Sequence, residues 1–414
     1  MSAGAPRSQR LHIGFFGRRN VGKSSLLNAV TRQAVSIVSA TPGTTTDPVE
    51  KPMELSPLGP VLFIDTAGVD DEGALGALRI EKTRLALDRA DLAVVVAEAG
   101  AWGPFEEGLL EELKRRGTPA VVVFNKADLA SVAPVEREAL AVLGVPVVET
   151  AAPEGRGIAE LRRAILLAAP AEALEARRIV GDLVSEGDLV VLVVPVDKEA
   201  PKGRLILPQV QTIRDLLDAD AFCVVVKERE LPLALARLNA PPRLVVTDSQ
   251  AFLKAAADTP PGTPLTSFSI LFARYQGDLP TLVAGTVAVE ELKRGDRVLV
   301  AESCTHHPAG EDIGRVKIPR WLRQYTGLPL EFDHVAGRDF PEDLGRWALV
   351  VHCGNCMGNR KEMLSRLLKC REAGVPVTNY GLTIAYSLGI FERALEPFPA
   401  ALEAAMRARR EMRA

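Results

Sequence analysis

Gly17-Arg18-Arg19-Asn20-Val21-Gly22-Lys23-Ser24 follows the apolar run Ile13 to Phe16 and leads into Ser25-Leu26-Leu27, so a phosphate-binding pattern lies between a strand and a helix. The residue types match the chemistry. Glycines at 17 and 22 let backbone amides face phosphate oxygens, the Lys23 ammonium reaches the β and γ phosphates, and the Ser24 hydroxyl can ligate magnesium. A Gly-rich turn arises by chance often enough that its companions decide the reading. Asp65-Thr66-Ala67-Gly68 ends the next strong strand, where Asp65 would hold magnesium through water and Gly68 would sense the γ phosphate. Asn125-Lys126-Ala127-Asp128 ends a later strand, with the Asp128 carboxylate able to accept two hydrogen bonds from the guanine edge. Thr150-Ala151 follows the last strand and suits the loop that touches the guanine oxygen. Four elements in order, each at a strand's C-terminal end, predict a doubly wound P-loop GTPase domain. Its expected nucleotide contacts are Gly17, Asn20, Val21, Gly22, Lys23, Ser24, Ser25, Asp65, Asn125, Lys126, Asp128, Thr150 and Ala151.

Thr44-Thr45-Thr46 lies where a switch segment should close over magnesium, and Thr45, with Thr44 second, is the expected ligand beside Ser24. Lys23, Thr45 and Gly68 form the expected catalytic group. Val69 stands where Ras-like proteins carry a water-orienting glutamine, so intrinsic hydrolysis is expected to be slow and magnesium-dependent. Asn20 together with Gly43-Thr44-Thr45 resembles the TrmE and Era branch of bacterial GTPases. Several members of that branch use potassium in place of an arginine finger, and the resemblance implies a potassium-holding role for Asn20.

Composition narrows the remaining choices. A chain of 414 residues with 47% hydrophobic side chains supports two or three cored domains. Lys plus Arg is 50 and Asp plus Glu 53, a net charge of −3 that points to no nucleic acid. No run approaches the roughly 20 apolar residues that span a bilayer, which predicts a cytoplasmic protein with no membrane partner. Val/Ile/Leu runs alternate with helical stretches from His12 to about Pro170 and again from about Val180 to Asp258, before the turn-rich Thr259-Pro260-Pro261-Gly262-Thr263-Pro264. Expected domain limits are therefore 8–170, 178–262 and 263–414, all α/β, the last with a mainly parallel sheet.

The third region concentrates metal-binding chemistry. Cys304, His306, His307, His334, His352, Cys353 and Cys356 include three of the five cysteines and four of the five histidines, so a soft-metal site is expected there. Cys304 and Cys353 each follow an apolar strand and would meet at one sheet edge if those strands run parallel. Cys353-Gly354-Asn355-Cys356 brings two thiols around a tight turn before a helix near Asn359. Cys304, Cys353 and Cys356 are the expected metal ligands, and His306, Glu311 and Asp312 are candidates for a fourth, replaceable position. His352 would point away from the site. Cys223 and Cys370 read as packing residues. Spacing alone does not separate zinc from an iron-sulfur cluster.

A TrmE/Era-like G domain, a middle α/β segment, Cys304-x-His306 and a distant His352-Cys353-x-x-Cys356 together resemble one family across nearly the whole chain, the HydF-type GTPases of FeFe-hydrogenase maturation. The resemblance implies a dimerisation domain over 178–262 and a homodimer or larger assembly. It also implies a 4Fe-4S cluster on the three cysteines with an open or weakly held fourth site. A scaffold of this kind carries a diiron precursor, made with two radical-SAM maturases, to apo FeFe-hydrogenase. Two rival readings are an RNA- or ribosome-associated Era/TrmE-type factor with a structural zinc, and a GTP-regulated metallochaperone.

Overall fold

The computed structural model describes residues 6–413 apart from 32–47, 57, 67, 69–73, 133, 135–137, 139, 141–142, 172–176, 197–204, 304–311 and 338. Thr44, Thr45, Thr46, Val69, Cys304, His306, His307 and Glu311 therefore lie outside the described residues. The chain forms two compact units, 1–176 and 177–414.

The first unit is built on a six-stranded sheet in the order β2-β3-β1-β4-β5-β6. Its strands are β1 (Leu11–Phe16), β2 (Val49–Leu55), β3 (Gly59–Asp65), β4 (Leu92–Glu98), β5 (Ala120–Asn125) and β6 (Val147–Glu149). All pairings are parallel except β2 with β3. Period-two alternation sorts the central strands between two cores. Val94, Val96, Val121 and Val123 pack under the helices Lys23–Thr31 and Ile158–Ala168, while Val95, Ala97, Val122 and Phe124 face Leu109, Leu110 and Leu113 of the helix Pro104–Arg115. Parallel strands leave both faces to be covered by helices, so these segments read as unbroken apolar runs. β1 lies between β3 on one side and β4 on the other, so the strand order reverses at the end of β1, a topological switch point.

His12 sits inside β1, with its Nε2 3.2 Å from the Arg7 carbonyl. Burial, reinforced by Arg89, lowers its pKa from 6.5 to about 3. The unfolded chain takes up a proton below 6.5 that the folded one refuses down to about 3. Stability from this residue is therefore fully present above 6.5 and is lost as the pH falls toward 3. Urea midpoints measured down that range should decline for the wild type and decline less for His12→Gln; parallel curves would contradict this account.

The second unit contains two four-stranded sheets, both wholly parallel. One runs β10-β9-β7-β8, from β7 (Leu189–Val193), β8 (Phe222–Val226), β9 (Leu244–Thr247) and β10 (Leu265–Ser267). The other runs β12-β11-β13-β14, from β11 (Arg297–Ala301), β12 (Glu331–Val335), β13 (Leu349–His352) and β14 (Val377–Asn379). The turn at 259–264 is not where the first of these sheets ends, because β10 follows it and pairs with β9. A single continuous hydrophobic core runs from Ile179 to Ala405 through both sheets. The helix Phe268–Gln276 is shared, packing against Leu207–Leu217 on one side and Arg360–Glu372 and Tyr380–Ser387 on the other.

Candidate nucleotide and metal sites

β1, β3, β5 and β6 run parallel, so Gly17, Asp65, Asn125 and Thr150 all reach the same carboxyl edge. The P-loop there depends on backbone conformations closed to most side chains. Gly22 has φ of 94°, and a Cβ on it would lie 2.2 Å from Asn125 Nδ2. A Cβ on Gly68 would meet the Arg19 Cα at 2.4 Å, so the β3 loop and the P-loop touch through backbone. Asn20 holds a left-handed φ of 61°. The Lys23 ammonium donates to the Gly17 and Arg18 carbonyls at 2.9 and 2.6 Å, bonds that an incoming phosphate would replace. Ser24 Oγ donates to Asp65 Oδ2 at 2.6 Å, which brings together the hydroxyl and carboxylate expected to share a magnesium ion.

Asn125 braces the loops around the site. Its Nδ2 donates to the Val21 carbonyl at 2.9 Å, while its Oδ1 accepts from Thr150 Oγ1 at 3.0 Å and from the Ala152 amide at 3.3 Å. It thus ties the phosphate loop to the loop after β6. Lys126, with φ of 59°, pairs with Glu98 at 3.0 Å, and Asp128 beyond it is exposed at the edge. Sequence reading missed Glu106, whose buried carboxylate holds Arg18 of the P-loop at 3.0 Å while Arg18 stacks on Phe105. An acidic residue in a helix's first turn normally signals capping, and Glu106 also accepts from the Gly103 amide, so nothing local marks the second contact.

In the second unit β11 and β13 are parallel neighbours, with Ala301 opposite His352. The segment leading to Cys304 and the Cys353 loop therefore leave the same sheet edge. Asn355 turns the loop with φ of 52°, its Nδ2 donating to the Asn359 carbonyl at 2.9 Å, and Asn359 caps the helix Arg360–Glu372. Cys353 and Cys356 are both partly exposed, and the Ser303 amide donates to Cys353 Sγ at 3.2 Å, a bond suited to a thiolate. Two accessible thiols on one tight turn, one already accepting an N–H, fit a soft metal or cluster. Among the described residues no complete group of metal ligands is assembled.

The neighbours are polar and buried. Tyr380 donates to Glu302 at 3.0 Å, and burial, then Cys353 and Glu302, push its pKa upward. Asp312, a fourth-ligand candidate, is buried and spends Oδ1 on the Arg315 amide. His352 is held out of the ligand set: its Nδ1 donates to the Cys353 carbonyl at 2.7 Å, so its Nε2 must accept from Arg366 at 2.8 Å. Burial and Arg366 together lower its pKa to about 3. Cys370 is fully buried and pushed up to about 12, and Cys223 is also raised by burial, as packing thiols should be.

The fold and these loops define a P-loop GTPase domain followed by a second α/β unit that carries a two-thiol turn at its sheet edge. Residues 179–277 match the family model described as the hydrogen maturase F dimerization domain, and 280–397 the hydrogen maturase F tetramerization domain. Residues 12–126 match the 50S ribosome-binding GTPase model. The chain belongs to the hydrogen maturase F family. It is also similar to the tRNA modification GTPase MnmE of Heliobacterium modesticaldum, 40% identical over 151 residues that cover 36% of this chain and 32% of that protein. GTPase Der of Kosmotoga olearia is 34% identical over 172 residues, covering 38% and 39% respectively. The chain thus spans about a third of the length of the curated relatives it matches. Among solved structures, Aquifex aeolicus Era bound to GDP.AlF4- is 20% identical, covering 55% of this chain and 98% of that one with a TM-score of 0.36. No described helix is long and apolar enough to cross a membrane.

Proposed function

We propose that this chain is a GTP-hydrolysing scaffold that holds a 4Fe-4S cluster on Cys304, Cys353 and Cys356 and carries a diiron precursor to apo FeFe-hydrogenase. The observation that carries the reading is the two-thiol turn at Cys353 and Cys356 beside the parallel strand that leads to Cys304, in a chain of the hydrogen maturase F family. The cluster would supply an open coordination position to which a precursor attaches, with His306 as the proposed exchangeable fourth ligand. Radical-SAM maturases and the apo-hydrogenase are the proposed partners. GTP with magnesium on Ser24, Asp65 and Thr45 would change partner affinity through the switch segments. Anaerobic reconstitution with iron and sulfide tests the reading. A brown protein with about four irons and sulfides per chain supports it; a colourless protein holding one zinc replaces it with the structural-zinc alternative.

The proposed hydrolysis is slow and potassium-stimulated, with Asn20 helping to hold the ion. Turnover in potassium should exceed that in sodium at matched ionic strength, and Asn20→Ala should remove the difference. Equal wild-type rates in the two salts would remove this role from Asn20.

Dimerisation is proposed through β8. It is an edge strand, with Phe222 62% and Val225 44% exposed, and Val210, Leu217 and Leu233 are exposed on the neighbouring helices. An apolar edge of this kind favours pairing with a second copy. Phe222→Asp should shift the protein toward monomer in light-scattering measurements; an unchanged mass would place the interface elsewhere.

A further inference from the structure

Arg366, on the helix Arg360–Glu372, is only 5% exposed, yet its guanidinium reaches three separate strand ends. One nitrogen donates to His352 Nε2 at 2.8 Å and lies 3.5 Å from Ser303 Oγ. The other donates to the Gly337 carbonyl at 2.7 Å and to Glu362 Oε1 at 2.9 Å, and the group lies over the Phe340 ring. Ser303 directly precedes Cys304, His352 directly precedes Cys353, and Gly337 follows β12. The Ser303 amide in turn donates to Cys353 Sγ at 3.2 Å. A planar fork of five donors can satisfy these acceptors together, whereas an ammonium on a flexible stem cannot hold the same directions.

We propose that Arg366 is the positioning residue that holds Ser303 and His352, and with them the Cys353 turn, in the geometry the proposed metal site needs, without touching the metal. This rests on the cluster reading above. His352 follows as part of the same device: with Nε2 occupied by Arg366, it serves as a strut rather than a ligand. The ion pair with Glu362 keeps the buried cation compensated, so the contribution lies in direction rather than in net charge.

The test uses the full chain, reconstituted anaerobically with ferrous iron and sulfide, as wild type, as Arg366→Lys, and as the double variant Arg366→Met/Glu362→Gln, which leaves no buried charge unpaired. Circular dichroism and GTP turnover monitor folding of the second and first units. Both variants are expected to keep wild-type turnover and to lose iron to a chelator at about 10–100-fold lower chelator concentration, the usual effect of removing an outer support of a metal site. The electron paramagnetic resonance signal of the remaining cluster should be altered. If the double variant fails to fold, Arg366→Lys decides, because it keeps a cation opposite Glu362. A folded Arg366→Lys with wild-type chelator resistance and spectrum overturns this inference alone. A wild type that takes up no iron overturns the cluster reading and this inference with it.

Discussion

Replacing Cys353 with alanine is expected to strip the reconstituted protein of nearly all its iron and to abolish its capacity to activate apo-hydrogenase. Cys353 is only partly buried, so truncation removes little packing, and the Ser303 amide loses a sulfur acceptor beside solvent rather than inside the core. What is lost is one of three proposed protein thiolates. A cluster held by two is exposed to exchange and breakdown, and Cys356→Ala should behave alike. Lys23→Ala, whose change lies in the other compact unit, should retain its full iron content and lose GTP turnover. Iron counting across the set separates these outcomes. Full iron and full maturation activity in Cys353→Ala would remove the cluster from this turn and leave it as a redox or zinc element.

Asp128→Asn carries the second large expected effect. The exposed carboxylate lies beyond Lys126, which pairs with Glu98, and the substitution disturbs no buried contact, so the fold should be unaffected. Two charge-assisted hydrogen bonds to the guanine edge are worth about 1.5–3 kcal/mol each, which converts to a loss of GTP affinity of about 10²- to 10⁴-fold. Xanthine nucleotides present an acceptor where guanine presents a donor, and the new amide can donate to it, so xanthosine triphosphate should bind the variant better than it binds the wild type. Fluorescent-nucleotide titration measures both. Unchanged GTP affinity would take base recognition away from this residue.

The P-loop, the Asp65 and Asn125 to Asp128 loops, and the cysteine turn were legible as loops at strand ends because each is a few contiguous residues of distinctive type. The central strands were legible for a different reason: burial on both faces demands apolar runs rich in Val and Leu, as in β4, β5 and β13. The edge strands β6 and β8 were legible too, but the edge strands β2, β10, β12 and β14 escaped. Val49–Leu55 carries Glu50, Lys51, Pro52 and Glu54 because it is half-exposed and paired on one side only, and β10 and β14 have just three residues each. No sequence period marks segments that short or that polar. Nor does any local pattern show that Asn125 turns inward to brace Val21 and Thr150, that Glu106 holds Arg18, or that one core runs through both sheets of the second unit. The meeting of Arg366 with Ser303, 63 residues away, is of the same kind. These contacts join residues whose proximity depends on strand order and on parallel crossovers, and a buried polar side chain finds its partner only after the sheet has brought distant strand ends to one edge.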